Sequence, residues 1–281
     1  MRGTIKSNKI HHHFHGDKHN KIVAKKALGQ NFLKDESVAE KIVNSTEIAG
    51  KIILEVGAGQ GFLTKHILSQ NLKKLIIVEK DSRMIPILQG FCDTNGYKNV
   101  EIINGDALQF DIAELSKKYG EKITIIANLP YNIGTTLVVN WMEKVENINE
   151  IVVMLQKEVV DRICAKTNTK DYGRVSVLVQ SLCDVAVVVD VPPICFDPQP
   201  KVMSAVVKIS PKSPAKMPTK EQYQKLDDFC KIAFSQRRKK LTNVLKNSKY
   251  KTMLLPDFID ENARAEDLSV DDYIKLANLV K

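Results

Sequence analysis

The sequence predicts a doubly wound α/β domain followed by a small helical domain. Short runs rich in β-branched residues recur between residues 52 and 155, amphipathic stretches separate them, and a glycine-rich turn follows the first run. Strands that are apolar on both faces and alternate with helices are typical of a parallel sheet covered on both sides. Together these observations predict a doubly wound sheet whose ligand site lies at the carboxyl ends of the strands.

Five parallel strands are predicted in chain order. They comprise residues 52–56, 75–78, 100–103, 123–127 and 151–155, with helices near residues 62–70 and 82–90. Two further runs, residues 185–191 and 202–209, are separated by a proline-rich stretch too short for a crossover helix, so we expect them to pair antiparallel. A mostly parallel sheet with an antiparallel final strand is typical of Rossmann-like class I methyltransferases, which use S-adenosylmethionine.

The two ends of the chain differ from this domain in composition. Residues 1–26 form a basic leader that holds five of the six histidines. Such a tract could bind a metal, but without apolar neighbours a disordered tail or a cloning remnant is the simpler interpretation, and a transit peptide stays open. The α/β domain is predicted at residues 27–210, a proline-rich linker at 210–218, and a helical domain at 219–281 with helices at 222–233, 237–246 and 271–280.

Charge and cysteine content narrow the functional class. The 281 residues include 42 Lys and Arg against 33 Asp and Glu, a net charge of +9 that favours a polyanionic partner. The five cysteines are scattered without a Cys-x-x-Cys pair, which favours a reduced, cytoplasmic protein and supports neither a metal site nor a disulfide framework. No run approaches the ~18 apolar residues of a membrane span, so we expect no membrane association.

The glycine-rich turn is the first part of a predicted cofactor site. Gly57 and Gly59 permit a tight turn and close approach of a ligand to the backbone. The spacing is G-x-G-x-G rather than the G-x-G-x-x-G of dinucleotide binders. Because S-adenosylmethionine has no pyrophosphate to place on helix-terminal amides, the looser turn suits that cofactor better. A purely structural turn is the alternative.

Two carboxylates follow the next two predicted strands. Glu79 ends the second strand, 22 residues after Gly57, where it could accept both ribose hydroxyls of a cofactor. Asp106 follows the third strand and could accept a hydrogen bond from the adenine amino group. The alternatives are an exposed acid paired with Lys80 and a turn-forming aspartate. Because ligands of such sheets bind at the strand carboxyl ends, the positions together predict a nucleoside-type cofactor.

Asn128, Leu129, Pro130 and Tyr131 close the fourth predicted strand and carry the predicted chemistry. Taken alone, they are explained by a turn, since Asn and Pro are common turn residues. Beside a cofactor, the Asn128 side-chain oxygen and the Leu129 carbonyl could accept both N–H bonds of an adenine N6 amine and aim its lone pair at a methyl donor. Pro130 would stiffen the turn, and Tyr131 could stack on an extruded base.

A second aromatic residue is predicted to oppose Tyr131. Phe196 begins the segment FDPQPKVMS, in which Pro198 and Pro200 hold the chain extended. Phe196 would then present its ring rigidly as the second wall of a base-binding slot. The alternative is a phenylalanine that packs beneath a proline-rich loop.

In this order and spacing, the motifs resemble the ribosomal RNA adenine dimethyltransferase family, most of all its bacterial small-subunit, KsgA-type branch. The resemblance runs from Lys26 to about Leu245. It is carried by ALGQNFL at residues 27–33, EVGAGQG at 55–61, NLPY at 128–131, LQKEV at 155–159, YGRVS at 172–176, FDPQPKVMS at 196–204 and FSQRRKKL at 234–241. Ala58, where many relatives carry Pro, and Met203, at a position often acidic in this branch, are departures that lie outside the proposed chemistry.

The resemblance implies a cofactor, a substrate and the residues that bind the cofactor. S-adenosylmethionine would contact Asn31, Leu33, Gly57, Glu79, Asp106 and Asn128. The partner would be 16S rRNA within an immature small ribosomal subunit. Two adjacent adenines in its 3′-terminal hairpin loop would each be methylated twice at N6.

Polar residues outside these motifs have competing interpretations. Arg237, Arg238, Lys239 and Lys240 lie on the predicted helix 237–246, where a basic run is ordinarily a solvated face. A net charge of +9 and a structured RNA target favour phosphate contacts instead. Gln30 and Asn31 could cap a helix that begins near Asp35. Glu158 and Arg162 have the i,i+4 spacing of a helix-surface ion pair.

The sequence thus predicts a monomeric 16S rRNA dimethyltransferase. Two rivals stay open, namely a macrolide-resistance-type dimethyltransferase of 23S rRNA and a non-catalytic RNA-binding assembly factor. Segments 172–176 and 201–207 favour the small-subunit branch, and the intact motifs at 57–61 and 128–131 argue against lost chemistry.

Overall fold

The computed structural model describes residues 23–279, which contain nine strands and ten α-helices. The strands are β1 (Phe32–Leu33), β2 (Ile52–Val56), β3 (Lys74–Glu79), β4 (Val100–Asn104), β5 (Ile123–Asn128), β6 (Ile148–Gln156), β7 (Cys183–Val191), β8 (Phe196–Asp197) and β9 (Ser204–Pro211). The helices are α1 (Glu36–Asn44), α2 (Phe62–Leu68), α3 (Ile85–Asn95), α4 (Ile112–Tyr119), α5 (Gly134–Met142), α6 (Lys157–Ile163), α7 (Arg174–Leu182), α8 (Lys220–Ala233), α9 (Leu241–Lys246) and α10 (Val270–Leu279). Residues 1–22 of the predicted leader lie outside the described residues.

Seven strands form one sheet in the order β4-β3-β2-β5-β6-β9-β7, and β1 pairs with β8 in a separate two-stranded ladder. The five predicted strands β2 to β6 are parallel, as expected. The predicted antiparallel pairing of β7 with β9 is confirmed, and β9 is also antiparallel to β6. The final strand β9 therefore lies between β6 and β7 rather than at the sheet edge. The connection through α6 and α7 leaves a gap of one strand between β6 and β7, and β9 fills that gap.

Several element boundaries differ from the sequence prediction. The helix expected at residues 82–90 is Ile85–Asn95, because Asp81 accepts the Arg83 N–H in a turn that precedes it. The final strand begins at Ser204 rather than at Val202. The helix expected at 237–246 begins only at Leu241, after a 3₁₀ turn at Phe234–Gln236. Residues 237–239 therefore lie in a turn, and Lys240 forms an isolated antiparallel bridge with Arg264.

The sheet is covered on both faces, as its apolar strands predict. Successive residues of β2 alternate between two buried clusters, with Ile52 and Leu54 on one face and Ile53 on the other. Helices α1, α2 and α3 cover the Ile53 face, and α4 to α7 cover the opposite face. Both faces thus bury their strands against helices, which defines a doubly wound architecture.

The C-terminal helices extend the α4–α7 layer. Leu226 and Phe229 of α8 belong to the same buried cluster as Trp141 of α5 and Leu178 of α7. The predicted linker contains one short 3₁₀ turn, Pro214–Lys216, before Thr219 caps α8. The apolar core is therefore continuous across the predicted domain boundary, and the division into two domains stays a prediction.

Within residues 23–279 no helix is long and apolar enough to span a bilayer. No group of three or more His, Cys, Asp or Glu side chains in that range has the geometry of a metal site. All five cysteines are free thiols.

Candidate active site

Residues 29–33 cross the carboxyl edge of the sheet and join three of the predicted motifs. The Asn128 side-chain Nδ2 donates to the Asn31 carbonyl at 3.1 Å. A Cβ atom on Gly59 would lie 3.0 Å from the Phe32 ring, so the glycine turn packs directly beneath this segment. Leu33 pairs with Phe196 in the β1–β8 ladder. Segments far apart in sequence therefore meet at one edge.

The glycine turn also packs against the segment that follows β5. Gly57 has φ +71°, and a Cβ atom there would lie 3.4 Å from Pro130 Cδ. Gly59 has φ +56°, a conformation that side chains other than glycine rarely adopt. A larger residue at either position would be strained, and its side chain would crowd Pro130 or Phe32.

Glu79 is buried at the end of β3, with 5% of its surface exposed. One carboxylate oxygen accepts the Gly59 N–H at 2.9 Å and the other accepts the Asp81 N–H at 2.8 Å. Burial raises the pKa of Glu79 above its usual value. The alternative of an exposed acid paired with Lys80 is wrong, because the Lys80 ammonium pairs with Asp106. Each Glu79 oxygen keeps a lone pair, which suits a ligand with two hydroxyl donors.

Asp106 lies one strand further along the same edge. Its Oδ1 accepts the Leu108 N–H at 3.0 Å, which confirms the turn interpretation, and its Oδ2 accepts from the Lys80 Nζ at 2.7 Å. The hydrogen bond from Lys80 lowers the pKa of the Asp106 carboxyl. A carboxylate oxygen can accept more than one hydrogen bond, so these contacts leave room for the predicted adenine amino group.

Asn128 is held with its amide nitrogen already engaged. Because Nδ2 donates to the Asn31 carbonyl, Oδ1 is the atom available to accept from a ligand. The Leu129 N–H donates to the Met154 carbonyl on β6 at 3.1 Å, and the Pro130 carbonyl accepts from the N–H groups of Ile133 and Gly134 at the start of α5. The turn interpretation is thus correct for the backbone, while the side chain keeps a free acceptor.

Tyr131 is half-buried and tied to β9. Its hydroxyl lies 2.5 Å from the Oγ atom of Ser204, a fully buried residue at the start of that strand. Burial raises the pKa of the Tyr131 phenol. Anchoring the hydroxyl restricts the ring to one orientation, which suits a stacking role. The sequence contained Ser204 within a motif but offered no signal for this contact.

Phe196 does not present an open wall. Its side chain has no exposed surface and packs in the buried cluster with Leu33 and Cys195. The prediction of a ring offered rigidly to a base is therefore wrong for this conformation, and the packed alternative holds. The β1–β8 pairing explains the difference, because side chains alternate along a strand and Asp197, not Phe196, faces outward.

Gln30 and Asn31 do not cap the following helix. The Asp35 side chain caps α1 by accepting the Val38 N–H at 3.1 Å, so the capping alternative for Gln30 and Asn31 is wrong. Gln30 instead donates through Nε2 to the Asp81 Oδ2 at 2.9 Å. Both residues are thus committed to the sheet edge.

Asp81 is a buried hub that the sequence did not reveal. Its side chain is 1% exposed and accepts from Gln30 and from the Arg83 guanidinium, whose Nη2 lies 2.6 Å away. Arg83 also donates to the Val23 carbonyl at 3.2 Å. The hydrogen bond from Arg83 holds the pKa of Asp81 well below its usual range. Asp81 therefore links Glu79, through its own N–H, to residues 23–30. An acid and an arginine two positions apart are common on surfaces, so no pattern distinguishes this pair.

A second buried carboxyl lies beneath the glycine turn. Glu55 is 1% exposed, and its Oε2 accepts from the Thr64 Oγ1 at 2.7 Å. Burial raises the pKa of Glu55 to about 8, and the nearby Glu79 carboxylate adds to the shift. The Glu55 carboxyl is thus largely protonated at neutral pH, and it ties the end of β2 to α2.

The four predicted RNA-binding residues do not act alike. The Arg237 guanidinium bonds inside the protein, with its Nε 2.5 Å from Glu266 Oε2. Lys240 donates to the Asn262 side chain. Arg238 and Lys239 are exposed and make no ion pair within residues 23–279. The Arg237 guanidinium is therefore engaged within the protein while its side chain stays about one-third exposed, at 35%, and its contact with RNA stays a prediction.

The predicted helix-surface pair on α6 is confirmed, with Arg162 Nη2 3.8 Å from Glu158 Oε2.

The chain matches known proteins both in sequence and in fold. A family model described as "Ribosomal RNA adenine dimethylase" matches residues 22–281. Ribosomal RNA small subunit methyltransferase A of Francisella tularensis subsp. novicida is 40% identical over 265 residues, which cover 92% of this chain and 98% of the relative.

Two solved structures share the fold. A dimethyladenosine transferase from Plasmodium falciparum superposes with a TM-score of 0.74 at 28% identity, covering 87% of this chain and 95% of that chain. The 23S rRNA methyltransferase ErmE superposes with a TM-score of 0.65 at 21% identity, covering 88% and 98%, a likeness that concerns the fold alone.

Proposed function

The chain belongs to the ribosomal RNA adenine dimethylase family, and from that membership we propose that its substrate is 16S rRNA of the maturing small subunit. It is an S-adenosylmethionine-dependent rRNA adenine dimethyltransferase. Its proposed targets are two adjacent adenines in the 3′-terminal hairpin loop, each methylated twice at N6. One chain carries every site residue, which supports a monomer, and five free thiols support action in the cytoplasm.

The observation that carries the proposal is the orientation of Asn128. Its amide nitrogen is occupied by the Asn31 carbonyl, so its oxygen is left to accept a hydrogen bond beside the glycine turn. An amine donor is the complement of that acceptor. The exocyclic amine of adenine offers two N–H bonds, one for Asn128 Oδ1 and one for the Leu129 carbonyl.

The residues at the sheet edge fit the cofactor. Glu79 would accept the ribose hydroxyls, Asp106 would accept from the adenine amino group, and Asn31 and Leu33 would cover the site. Gly57 and Gly59 let the turn pack closely against Pro130 and Phe32, which a Cβ atom at either position would crowd. S-adenosylmethionine supplies an electrophilic methyl group when bound.

Asn128 and Leu129 position the reacting amine. The adenine N6 lone pair is delocalised into the ring, and two acceptors favour a more tetrahedral nitrogen with a directed lone pair. Positioning of this kind can supply much of the rate acceleration. No strong base is required, because the N6 proton becomes acidic once the methyl group has been transferred. After the first transfer one N–H remains, and one of the two acceptors suffices to hold it.

Aromatic residues hold the base itself. Tyr131 stacks on the extruded adenine, and its anchored hydroxyl limits the loss of ring freedom on binding. Phe196 acts from behind this site by packing against Leu33 rather than as an open wall.

The 23S rRNA alternative has weaker support. The 40% identical relative is named for the small subunit, whereas the likeness to ErmE at 21% identity concerns fold only. The non-catalytic alternative has no supporting observation, since the Asn128 acceptor and the Glu79 carboxylate are both in place.

Primer extension on rRNA tests the proposal. Immature small subunits from cells lacking dimethylation are incubated with the protein and S-adenosylmethionine. We expect reverse transcription to stop at the tandem adenines with wild type and with Asn140→Ala, an exposed asparagine on α5, but not with Asn128→Ala. Stops on 23S rRNA alone, or full activity of Asn128→Ala, would reject the assignment.

A further inference from the structure

The hydroxyl contact of Tyr131 ties the proposed base-binding residue to a strand that is held on both sides. Ser204 has no exposed surface, and its Oγ atom lies 2.5 Å from the Tyr131 hydroxyl. Ser204 begins β9, where it pairs with Gln156 of β6 and with Val191 of β7. Because a strand bonded to two neighbours has little freedom to move, Ser204 is a fixed anchor for the Tyr131 ring.

The main chain at Tyr131 is fixed independently of this hydroxyl. The preceding Pro130 carbonyl accepts from the Ile133 N–H at 3.2 Å and from the Gly134 N–H at 3.0 Å, where α5 begins. A Cβ atom on Gly134 would overlap the Leu155 side chain of β6, so this end of α5 lies directly on the sheet. The Tyr131 ring is therefore held at its backbone by α5 and at its hydroxyl by β9.

The two methyl transfers to one adenine place unequal demands on this ring. In each transfer the N6 lone pair forms a bond to the methyl carbon, the carbon–sulfur bond breaks with its electron pair left on sulfur, and N6 releases one proton to solvent. Adenine enters the first transfer with two N–H bonds for the Asn128 and Leu129 acceptors, whereas N6-methyladenine enters the second with one. Each hydrogen bond helps to fix the direction of the amine, so its loss leaves the base more dependent on stacking against Tyr131.

We propose that Ser204 is a positioning residue for the second methyl transfer, and that it acts through the Tyr131 ring rather than on the substrate. This rests on the proposed roles of Asn128 and Tyr131. A ring with a free hydroxyl would still stack on a base, but it would sample more orientations. The first transfer tolerates that freedom because two acceptors hold the amine, whereas the second does not. Ser204 therefore sets the ratio of dimethylated to monomethylated product.

Stepwise product analysis tests this role. Immature small subunits from cells lacking dimethylation are mixed with excess protein and S-adenosylmethionine, and mass spectrometry follows N6-methyladenosine and N6,N6-dimethyladenosine over time. A neutral hydrogen bond accounts for roughly a 2- to 12-fold change in rate, so Ser204→Ala should slow the first transfer about threefold and the second about tenfold. Monomethylated adenine should therefore reach a higher maximum than with wild type. An unchanged ratio of the two rate constants would overturn the proposal.

A matched control separates positioning from loss of stability. Ser181 on α7 is also fully buried, and its Oγ donates to the Leu178 carbonyl at 2.8 Å. Ser181→Ala should lower the free energy of unfolding, as Ser204→Ala should, but it should leave the ratio of the two rate constants at the wild-type value. A ratio that fell equally in both variants would make the effect a consequence of destabilisation and would reject the role of Ser204.

A double-mutant cycle tests whether Ser204 acts through Tyr131. Tyr131→Phe removes the same contact from the other side, so Tyr131→Phe/Ser204→Ala should have the ratio of rate constants of either single variant. Effects that multiplied in the double variant would show that Ser204 acts by another route.

A titration of the ligand-free protein tests the contact itself. Burial raises the pKa of the Tyr131 phenol, and the hydrogen bond with Ser204 opposes that effect. Ser204→Ala should therefore raise the pKa of the Tyr131 phenol further, as measured by NMR with a ¹³C label at tyrosine Cζ. An unchanged pKa would show that the two hydroxyls do not interact.

Failure of this role is distinguishable from failure of the proposed function. If wild type forms no methylated adenine in 16S rRNA, the proposed substrate is wrong and the role of Ser204 falls with it. If wild type forms dimethyladenine and Ser204→Ala keeps the wild-type ratio of rate constants, only the role of Ser204 is wrong.

Discussion

The carboxyl edge of the sheet gathers residues that are distant in sequence, whereas the turn at residues 237–239 separates residues that are adjacent. At the edge, Asn31 contacts Asn128, and Glu79 holds Gly59. At the turn, Arg237 bonds inward while its neighbours Arg238 and Lys239 face solvent. Neighbouring parallel strands run in the same direction, so their last residues lie at the same edge of the sheet. Successive residues of a turn point in different directions, so a run of like residues need not share one role.

The largest expected effect concerns the buried carboxyl at the sheet edge. The folded protein raises the pKa of Glu55 from 4.5 to about 8. Below the unfolded value both states are protonated, and as pH rises only the unfolded state releases its proton. The free energy of unfolding should therefore fall by about 1.4 kcal/mol per pH unit between these values and then level off.

Glu55→Gln removes this dependence and should make the protein more stable than wild type at pH 8. Urea unfolding at pH 5, 6.5 and 8 measures it, with Glu146→Gln, an exposed glutamate, as control. If the free energy of unfolding depended on pH in the same way for wild type and Glu55→Gln, Glu55 would ionise normally in the folded protein. Its carboxyl would then be less buried than the structure indicates.

A second effect tests whether the edge binds the cofactor. Glu79→Ala removes the acceptor for the ribose and the partner of the Gly59 N–H. Hydrogen bonds to charged groups are worth about 1.5–3 kcal/mol, so S-adenosylmethionine affinity should fall about 10- to 100-fold by calorimetry. Glu146→Ala should bind as wild type does. Unchanged affinity in Glu79→Ala would remove this residue from the site.

A third, smaller effect tests the link between Glu79 and the N-terminal segment. Asp81→Asn keeps the shape of the side chain but weakens its bonds to Arg83 and Gln30. Limited trypsin digestion should cut faster at Lys25 and Lys34, and cofactor affinity should fall about tenfold. The exposed Asp257→Asn is the control. Equal digestion rates would show that the segment is held by other contacts.

The smallest effect separates the ring of Tyr131 from its hydroxyl. Tyr131→Phe loses only the contact with Ser204, worth about 1 kcal/mol, so single-turnover methyl transfer should slow about fivefold. Tyr131→Ala loses the ring and should slow far more. If the two variants were equally slow, the hydroxyl rather than stacking would be the contribution of Tyr131.

Much of the sheet edge was predictable because its signals are local and repeated. Apolar runs such as residues 123–127 are short and rich in β-branched residues, which favours buried strands, and the residues that end these strands fall at one edge. The Asn128 and Glu79 positions followed from that geometry. Phe196 was placed wrongly because its direction depends on pairing with Leu33, a contact made across 163 residues of chain that no local pattern encodes.

The amino-acid sequence by itself determined the sheet, the glycine turn and the side chains at the strand ends, because strand periodicity and glycine conformation are properties of short segments. Tertiary structure decided which polar groups are already satisfied. It buried Asp81 and Glu55 and left the Asn128 side-chain oxygen available to accept a hydrogen bond. It also directed the Arg237 guanidinium to the carbonyls of Thr169 and Lys170. A hydrogen bond requires that a donor and an acceptor lie close together, and their positions are fixed only when the helices pack on the sheet.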